Sequence, residues 1–169
     1  MQKKKFNKPV KTMDEIVLDT KAVVKVTKGG RQRRFQAVVL VGDKKGLVGL
    51  GTGKANEVAE AVKKARQAAN KNMIKVPMID QRTIPHEMTA QIGATKVIIK
   101  PAKEGTGLIA GGAVRSVLEI AGYHDIVSKS LGARTKINMA RATLEALQNI
   151  RTIEQVAAMR GKTKEEILG

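Results

Sequence analysis

Positive charge is spread so unevenly along this chain that two regions with different surroundings describe it better than one uniform globule. Residues 1–75 hold 19 Lys and Arg against 6 Asp and Glu, a surplus of 13; residues 76–169 hold 13 against 9, a surplus of 4. At 169 residues and 42% hydrophobic content the chain can bury one medium core or two small ones, and the asymmetry argues for two. A surplus of this size needs a polyanion or a dense counterion cloud. Nucleic acid is the first polyanion to consider, because each phosphate neutralised by Lys or Arg releases condensed counterions. Aromatic residues make up only 2% of the chain, namely Phe6, Phe35 and Tyr123. The stacking platforms of single-strand binders are therefore almost absent, and shape and backbone are expected to be read more than bases.

Several chemistries drop out on composition. There is no cysteine, which removes disulfides, thiolate nucleophiles and cysteine-based zinc sites together. The two histidines, His86 and His124, lack ligand-like neighbours, so neither a metal nor a cofactor is expected. In the pairs His86-Glu87 and His124-Asp125, adjacent residues on a strand point to opposite faces; both pairs read as surface polar residues with no catalytic set around them. No apolar run approaches the roughly 20 residues that cross a bilayer, and Met1-Gln-Lys-Lys-Lys-Phe6 lacks the apolar stretch of a signal peptide. A cytoplasmic chain without a membrane partner is the expectation.

The organisation follows from periodicity and turn residues. Residues 1–12, with Lys3, Lys4, Lys5, Lys8 and Lys11, read as a flexible basic arm. Strands are expected over 16–26, 35–41 and 47–51, with turns at Lys28-Gly29-Gly30-Arg31 and at 42–46. A helix over 54–73 places Val58, Ala61, Val62, Ala65, Ala69 and Met73 on one face, so residues 13–75 read as β-β-β-α. Residues 76–82, with Pro77, form the candidate linker. Beyond it, 83–91 and 94–100 read as strands joined at Gly93, and Pro101 ends the pairing. A helix from Gly111 or Gly112 to Ala121 buries Val114, Val117, Leu118 and Ala121, with Gly122 as its C-terminal cap. Residues 123–130 read as a strand. Asn138 is the expected N-cap of a further helix to about 149 that buries Met139, Ala142, Thr143, Ala146, Leu147 and Ile150. Residues 83–151 thus form a second α+β domain, and 152–169 a helical extension in which Thr152 with Gln155, and Thr163 with Glu166, fit capping boxes.

Two glycine-rich stretches invite a nucleotide-binding reading and fail it. Gly46 to Lys54 lacks the required glycine where Val48 stands and the magnesium-holding hydroxyl where Ala55 stands. Gly105-Thr-Gly107-Leu-Ile-Ala110 matches a dinucleotide fingerprint, with Asp125 about 20 residues on, but Asp125 would begin the next strand instead of ending it. Gly105, Gly107, Gly111 and Gly112 are read instead as positions of positive φ or close backbone approach. The sharpest basic cluster is Lys28-Gly29-Gly30-Arg31-Gln-Arg33-Arg34, a pliable tip whose flanking cations can follow a phosphate backbone. Residues 51–55, at the expected start of the first helix, offer free amides beside Lys54 as a second anion site.

In order and nearly end to end, these residues resemble the bacterial ribosomal small-subunit protein five family. The resemblance is carried by Val26-Thr-Lys28-Gly29-Gly30-Arg31, Val41-Gly42-Asp43, residues 51–55, Thr83-Ile-Pro85-His86-Glu87 and above all Pro101 to Arg115. Lys129-Ser130-Leu131-Gly132, Asn138 with Arg141-Ala142-Thr143, and Arg160-Gly161-Lys162 to Gly169 extend it. It implies an α+β fold: an N-terminal double-stranded-RNA-binding-like domain and a C-terminal α/β sandwich with a left-handed β-α-β crossover. It implies a structural constituent of the small ribosomal subunit that binds 16S ribosomal RNA near the head-body junction and contributes to translational accuracy. Small-subunit proteins four and eight are the implied neighbours, with the path of incoming messenger RNA nearby; no enzymatic activity and no homo-oligomer are expected.

On this resemblance, the RNA-binding residues are Lys25, Lys28, Gly29, Gly30, Arg31, Arg33, Arg34, Lys54 and Lys63. The loop at 26–31 corresponds to the hairpin near the spectinomycin site. The protein-contact and fidelity region is Glu104, Gly105, Thr106, Gly107, Gly111, Gly112 and Arg115. The chain departs from the family where Ala133-Arg134-Thr135-Lys136-Ile137 replaces a Ser-x-Asn-Pro-like approach to the last long helix, and where Tyr123 replaces a small aliphatic residue. Two other classes share some of these features: a nucleotide-dependent enzyme, which needs a glycine loop that holds phosphate, and a free-standing duplex-RNA binder, which would not distinguish ribosomal from unrelated RNA.

Overall fold

The computed structural model describes residues 13–168, so the basic arm at 1–12 lies outside the described residues. Strands β1 (Asp14–Thr27), β2 (Gly30–Gly42), β3 (Leu47–Ala55) and β4 (Met73–Lys75) form an antiparallel sheet in that order, with helix α1 (Val58–Lys71) between β3 and β4. The second sheet has the order β5-β6-β8-β7, from β5 (Met88–Ile92), β6 (Thr95–Pro101), β7 (Leu108–Ile109) and β8 (Ile126–Gly132). Helix α2 (Gly112–Ala121) joins β7 to β8, which are parallel, so these three elements form a β-α-β crossover. Helices α3 (Lys136–Asn149), α4 (Ile153–Arg160) and α5 (Lys164–Leu168) complete the two-domain α+β chain.

Helix α1 lies directly on the backbone of β3. Its buried face is Ala61, Ala65 and Ala69, one residue per turn. Opposite stand Gly49, Gly51 and Gly53, where a Cβ would run into the backbone of Ala69, of Ala65 and Ala69, and of Ala61 and Ala65 respectively. Alanines four apart on a helix are about 6 Å apart, and alternate strand residues about 6.7 Å, so the two ladders stay in step. The glycines that imitate a phosphate loop in sequence are thus a packing surface. They also carry β3 on to Ala55, and α1 starts only at Val58 with Glu57 as its cap. Residues 51–55 are therefore not a helix start, and Lys54 sits on a strand, so the expected helix-terminus anion site does not exist.

Two cores are present, but they are not one per half. Ala37, Val39 and Val41 on one face of β2 pack with Ala55 and the α1 alanines. Leu40 and Val48 on the opposite face of the same sheet join Val97, Ile99, Val114, Val117, Leu118, Ile120 and Leu147 of the second domain. The first sheet is thus covered on both faces, and the larger core spans the domain boundary.

Hydrogen bonds fix that boundary. The turn after β2 is shaped by Asp43 Oδ1, which accepts from the amides of Lys45 at 2.8 Å and Leu47 at 3.0 Å. The Lys44 and Gly46 amides then donate to the carbonyls of Ile120 (3.2 Å) and Ala121 (2.9 Å) at the end of α2. Gly122, at φ +95°, caps the same helix end as expected, its amide donating to the Leu118 carbonyl at 3.1 Å. Residues 76–82 are stitched to both domains: the Val76 amide donates to the Gly46 carbonyl (2.8 Å), and the buried Tyr123 hydroxyl donates to the Pro77 carbonyl (2.7 Å). That bond gives the sequence departure at Tyr123 a structural consequence.

Local differences from expectation have local reasons. The strand expected over 83–91 begins only at Met88, because Pro85 offers no amide and Thr83 is held by the Asp125 carbonyl at 2.7 Å. Helix α3 starts at Lys136 with Thr135 as its cap, not at Asn138. Lys136 reaches back to Asp19 of the first domain at 3.2 Å, so a tertiary contact outweighs the cap preference. Met139 is only half-buried while Ala140 is fully buried, which shifts the buried stripe slightly. The Thr152–Gln155 capping box and the reciprocal Thr163–Glu166 bonds form as expected.

Candidate nucleic-acid interface

The basic cluster occupies the outer end of a two-stranded ribbon. Strand β3 stops pairing with β2 at Phe35, and beyond it β1 and β2 continue alone through the pairs Val23–Arg34, Val24–Arg33, Lys25–Gln32, Val26–Arg31 and Thr27–Gly30. Lys28 and Gly29 form the two-residue turn. At this tip only Gly30, at φ +140°, has a conformation that calls for glycine; a Cβ on Gly29 would meet nothing within 4 Å. The pliable loop expected at 28–34 is therefore a tight turn followed by strand, which fixes where each cation points.

Directly paired residues on antiparallel strands share a face, and neighbours along a strand alternate. Arg31 and Arg33 thus share one face with Val24 and Val26, which are 52% and 72% exposed. Lys25 and Arg34 share the other face, which continues down the sheet through Gln36 to its partner Lys54. Lys63 stands apart on the exposed surface of α1. The candidate RNA-binding residues do not form one patch; most lie on two faces of one projection.

Acids are confined to the base of this ribbon. Asp14 pairs with Lys44 at 2.8 Å, Glu15 with Arg66 at 2.9 Å, and Asp19 with both Lys21 and Lys136 at 3.2 Å. Burial raises the Asp19 carboxyl pKa, but the hydrogen bonds from Lys136 and Lys21 outweigh it and the net direction is down. The hydrogen bond that Lys44 donates to the Asp14 carboxylate pushes its ammonium pKa up. Among the described residues, Lys25, Lys28, Arg31, Arg33 and Arg34 meet no carboxylate, so the tip keeps its whole positive field.

The second candidate region, 104–115, is organised by a residue that the sequence reading placed on the surface. Asp125 is 4% exposed. Its Oδ1 accepts from the Gly107 amide at 2.8 Å, and its Oδ2 from Arg82 Nη1 at 3.2 Å. These contacts, the Gly107 amide first, hold its carboxyl below the usual carboxylate range. Arg82 also returns its carbonyl to the amides of His124 (2.9 Å) and Asp125 (3.2 Å). No signal in sequence pairs Arg82 with Asp125, which explains the miss.

Around this anchor, Thr106 closes a turn by donating both its amide (3.2 Å) and its hydroxyl (2.7 Å) to the Lys103 carbonyl, and Gly105 and Gly107 take φ +82° and +76° as anticipated. Glu104 is 86% exposed and lies 4.0 Å from Arg82, a loose ion pair. Gly111 and Gly112 are different: neither has positive φ, and a Cβ on either meets nothing closer than 3.9 Å. Their smallness is not demanded by this chain's own packing. Arg115 projects from the exposed side of α2. His86 has a structural part, its Nε2 accepting from the Arg151 amide at 3.1 Å and its Nδ1 bonding the Glu87 carbonyl at 2.8 Å.

Comparison with known families resolves the two regions separately. The family model described as ribosomal protein S5, N-terminal domain, matches residues 13–77. The model described as ribosomal protein S5, C-terminal domain, matches residues 90–160. One match covers the sheet that carries the cationic ribbon, the other the β-α-β crossover anchored by Asp125, and together they take in most of the chain. The chain therefore belongs to the ribosomal protein S5 family, RNA-binding constituents of the small ribosomal subunit that serve translation.

Proposed function

We propose that this protein binds 16S ribosomal RNA through its N-terminal ribbon, holds the head of the small subunit relative to the body, and so contributes to decoding accuracy. The observation that carries the reading is the acid-free cationic tip on a projection built into the first sheet. Such a tip draws its affinity mainly from counterion release and reads backbone geometry. The glycine turn at 104–107, the open positions Gly111 and Gly112, and Arg115 supply the surface for protein neighbours, which by family resemblance are small-subunit proteins four and eight, with incoming messenger RNA nearby. The action is structural and requires no chemical step. If the tip grips one RNA domain and the rest of the chain another, weakening either grip shifts the balance between subunit conformations by the differential contact energy and no more.

The test is Gly29→Asp. A Cβ fits there without clash, so the substitution changes charge at the tip while sparing the fold. The variant should join small subunits in a sedimenting lysate, protect the RNA near its tip less well, and alter the response to spectinomycin. An unchanged RNA footprint together with an unchanged drug response would count against the reading.

A further inference from the structure

We propose that the ribbon is a two-walled wedge: it seats in a cleft between two separate RNA backbone segments, with phosphates against both of its faces, and does not lie along a single duplex. The proposal rests on the RNA-binding reading above and specifies the kind of RNA site. Register fixes the geometry. Arg31 and Arg33 stand on one face with Val24 and Val26; Lys25 and Arg34 stand on the other, with Lys54 further down. No carboxylate pairs with Lys25, Arg31, Arg33 or Arg34 among the described residues, and all four are exposed.

A ribbon meant for one flat partner needs cations on one face only, as an amphipathic strand pair does when its other face meets water. Here two unpaired cations on each face repel one another across a sheet one residue thick, a cost that anions on both sides offset. The unaccompanied part of the ribbon, from the Val23–Arg34 pair to the Thr27–Gly30 pair, projects about 13–17 Å at strand rise. An A-form duplex offers no single slot for it. The major groove is deep and narrow, closed to side chains, and the minor groove is too shallow to wall both faces. Two helices that meet, or a strand passing beside a helix, provide walls on both sides. The exposed valines distinguish the walls: the Val24 and Val26 face has apolar surface to lay on ribose, while the Lys25 and Arg34 face presents Gln32 and Thr27 toward its tip and keeps its one valine, Val23, half-buried at the base.

The test uses the full chain bound to 16S ribosomal RNA, with a photo-crosslinking residue placed in turn at 25 and at 26, neighbours on opposite faces. The two should crosslink to RNA segments that belong to different helices or strands. Crosslinks from both positions to one continuous segment, or from one position only, overturn the wedge while leaving RNA binding intact. No crosslink and no binding from either overturns the RNA-binding reading itself. A salt titration gives an independent readout. Arg31→Ala with Arg33→Ala, and separately Lys25→Ala with Arg34→Ala, should each lower the slope of log affinity against log salt by about 1.4–1.8, two phosphate contacts per face, on RNA that contains the junction. On a plain duplex no more than one of the pairs should matter. Equal loss from both pairs on plain duplex, or a silent pair on junction RNA, overturns the proposal.

Discussion

Arg82 and Asp125, 43 residues apart in sequence, meet at 3.2 Å and tie the segment before β5 to the crossover. The same carboxylate fixes the Gly107 amide, so one side chain sets the shape of the glycine-rich turn. Its folded-state pKa is depressed, so its contribution to stability is present above the unfolded-state value and is lost as pH falls through the folded one. Asp125→Asn removes the charge and turns an amide group toward Arg82 or Gly107. The variant should melt below the parent protein at neutral pH, and the gap should narrow in acid, below the usual carboxylate range. Thermal melts of both proteins across that range check it, and parallel curves at all pH values would refute the assigned pairing.

Tyr123 is the one tyrosine in the chain, so it reports on itself. Burial pushes its phenol pKa well above the usual value, and its hydroxyl donates to the Pro77 carbonyl at 2.7 Å. An acid whose folded pKa is raised stabilises the fold below its unfolded value and loses that contribution as pH rises toward the folded one. Phenolate absorbance should therefore stay absent at pH 10, where an exposed tyrosine is half ionised, and appear together with loss of helical circular dichroism. Tyr123→Phe should cost about 1–2 kcal/mol, because it leaves the Pro77 carbonyl without this donor. Denaturant unfolding measures the change.

How much of this could be read from sequence depended on the range of the interaction. The α2 stripe with its Gly122 cap and the Thr152–Gln155 box are set within a turn or two, and they appear as read. The continuation of β3 beyond Gly51, through Gly53 to Ala55, was hidden, because glycine lowers strand propensity and the reason for it lies on α1. Lys54 was misplaced as a consequence. β4 and β7, at three and two residues, are too short to carry a period. In the candidate interface the identity of the cations was legible, but their division between two faces was not. It follows from register, which the two-residue turn at Lys28 and Gly29 sets.

The glycines separate into two kinds with opposite predictions. Gly51→Ala drives a Cβ into the backbone of Ala65 and Ala69, so α1 must lift from the sheet. A destabilisation of about 1–3 kcal/mol or more follows, seen as a lower urea midpoint. Gly112→Ala fills open space at the first residue of a helix, so stability should hold or rise by less than about 1 kcal/mol. If a partner's backbone comes close there, the same harmless substitution should reduce retention of the protein in small subunits washed with salt. Normal retention would remove Gly112 from the contact surface.

The hardest test of the shared core falls on Gly122. It takes φ +95° at the end of α2 while a Cβ there would strike the carbonyl of Lys44, in the turn of the other domain. Gly122→Ala therefore meets two obstacles, a left-handed backbone and a turn that must retreat. As the turn retreats, the Ile120 and Ala121 carbonyls lose the Lys44 and Gly46 amides. Because the larger core crosses the boundary through Leu40, Val48 and Ile120, the damage should not stay in one domain. The amides of β2 and of α2 should both exchange hydrogen faster, and unfolding should remain a single transition at lower denaturant. Two separated transitions, with β2 keeping its protection while α2 loses it, would show instead that the domains fold independently and merely touch.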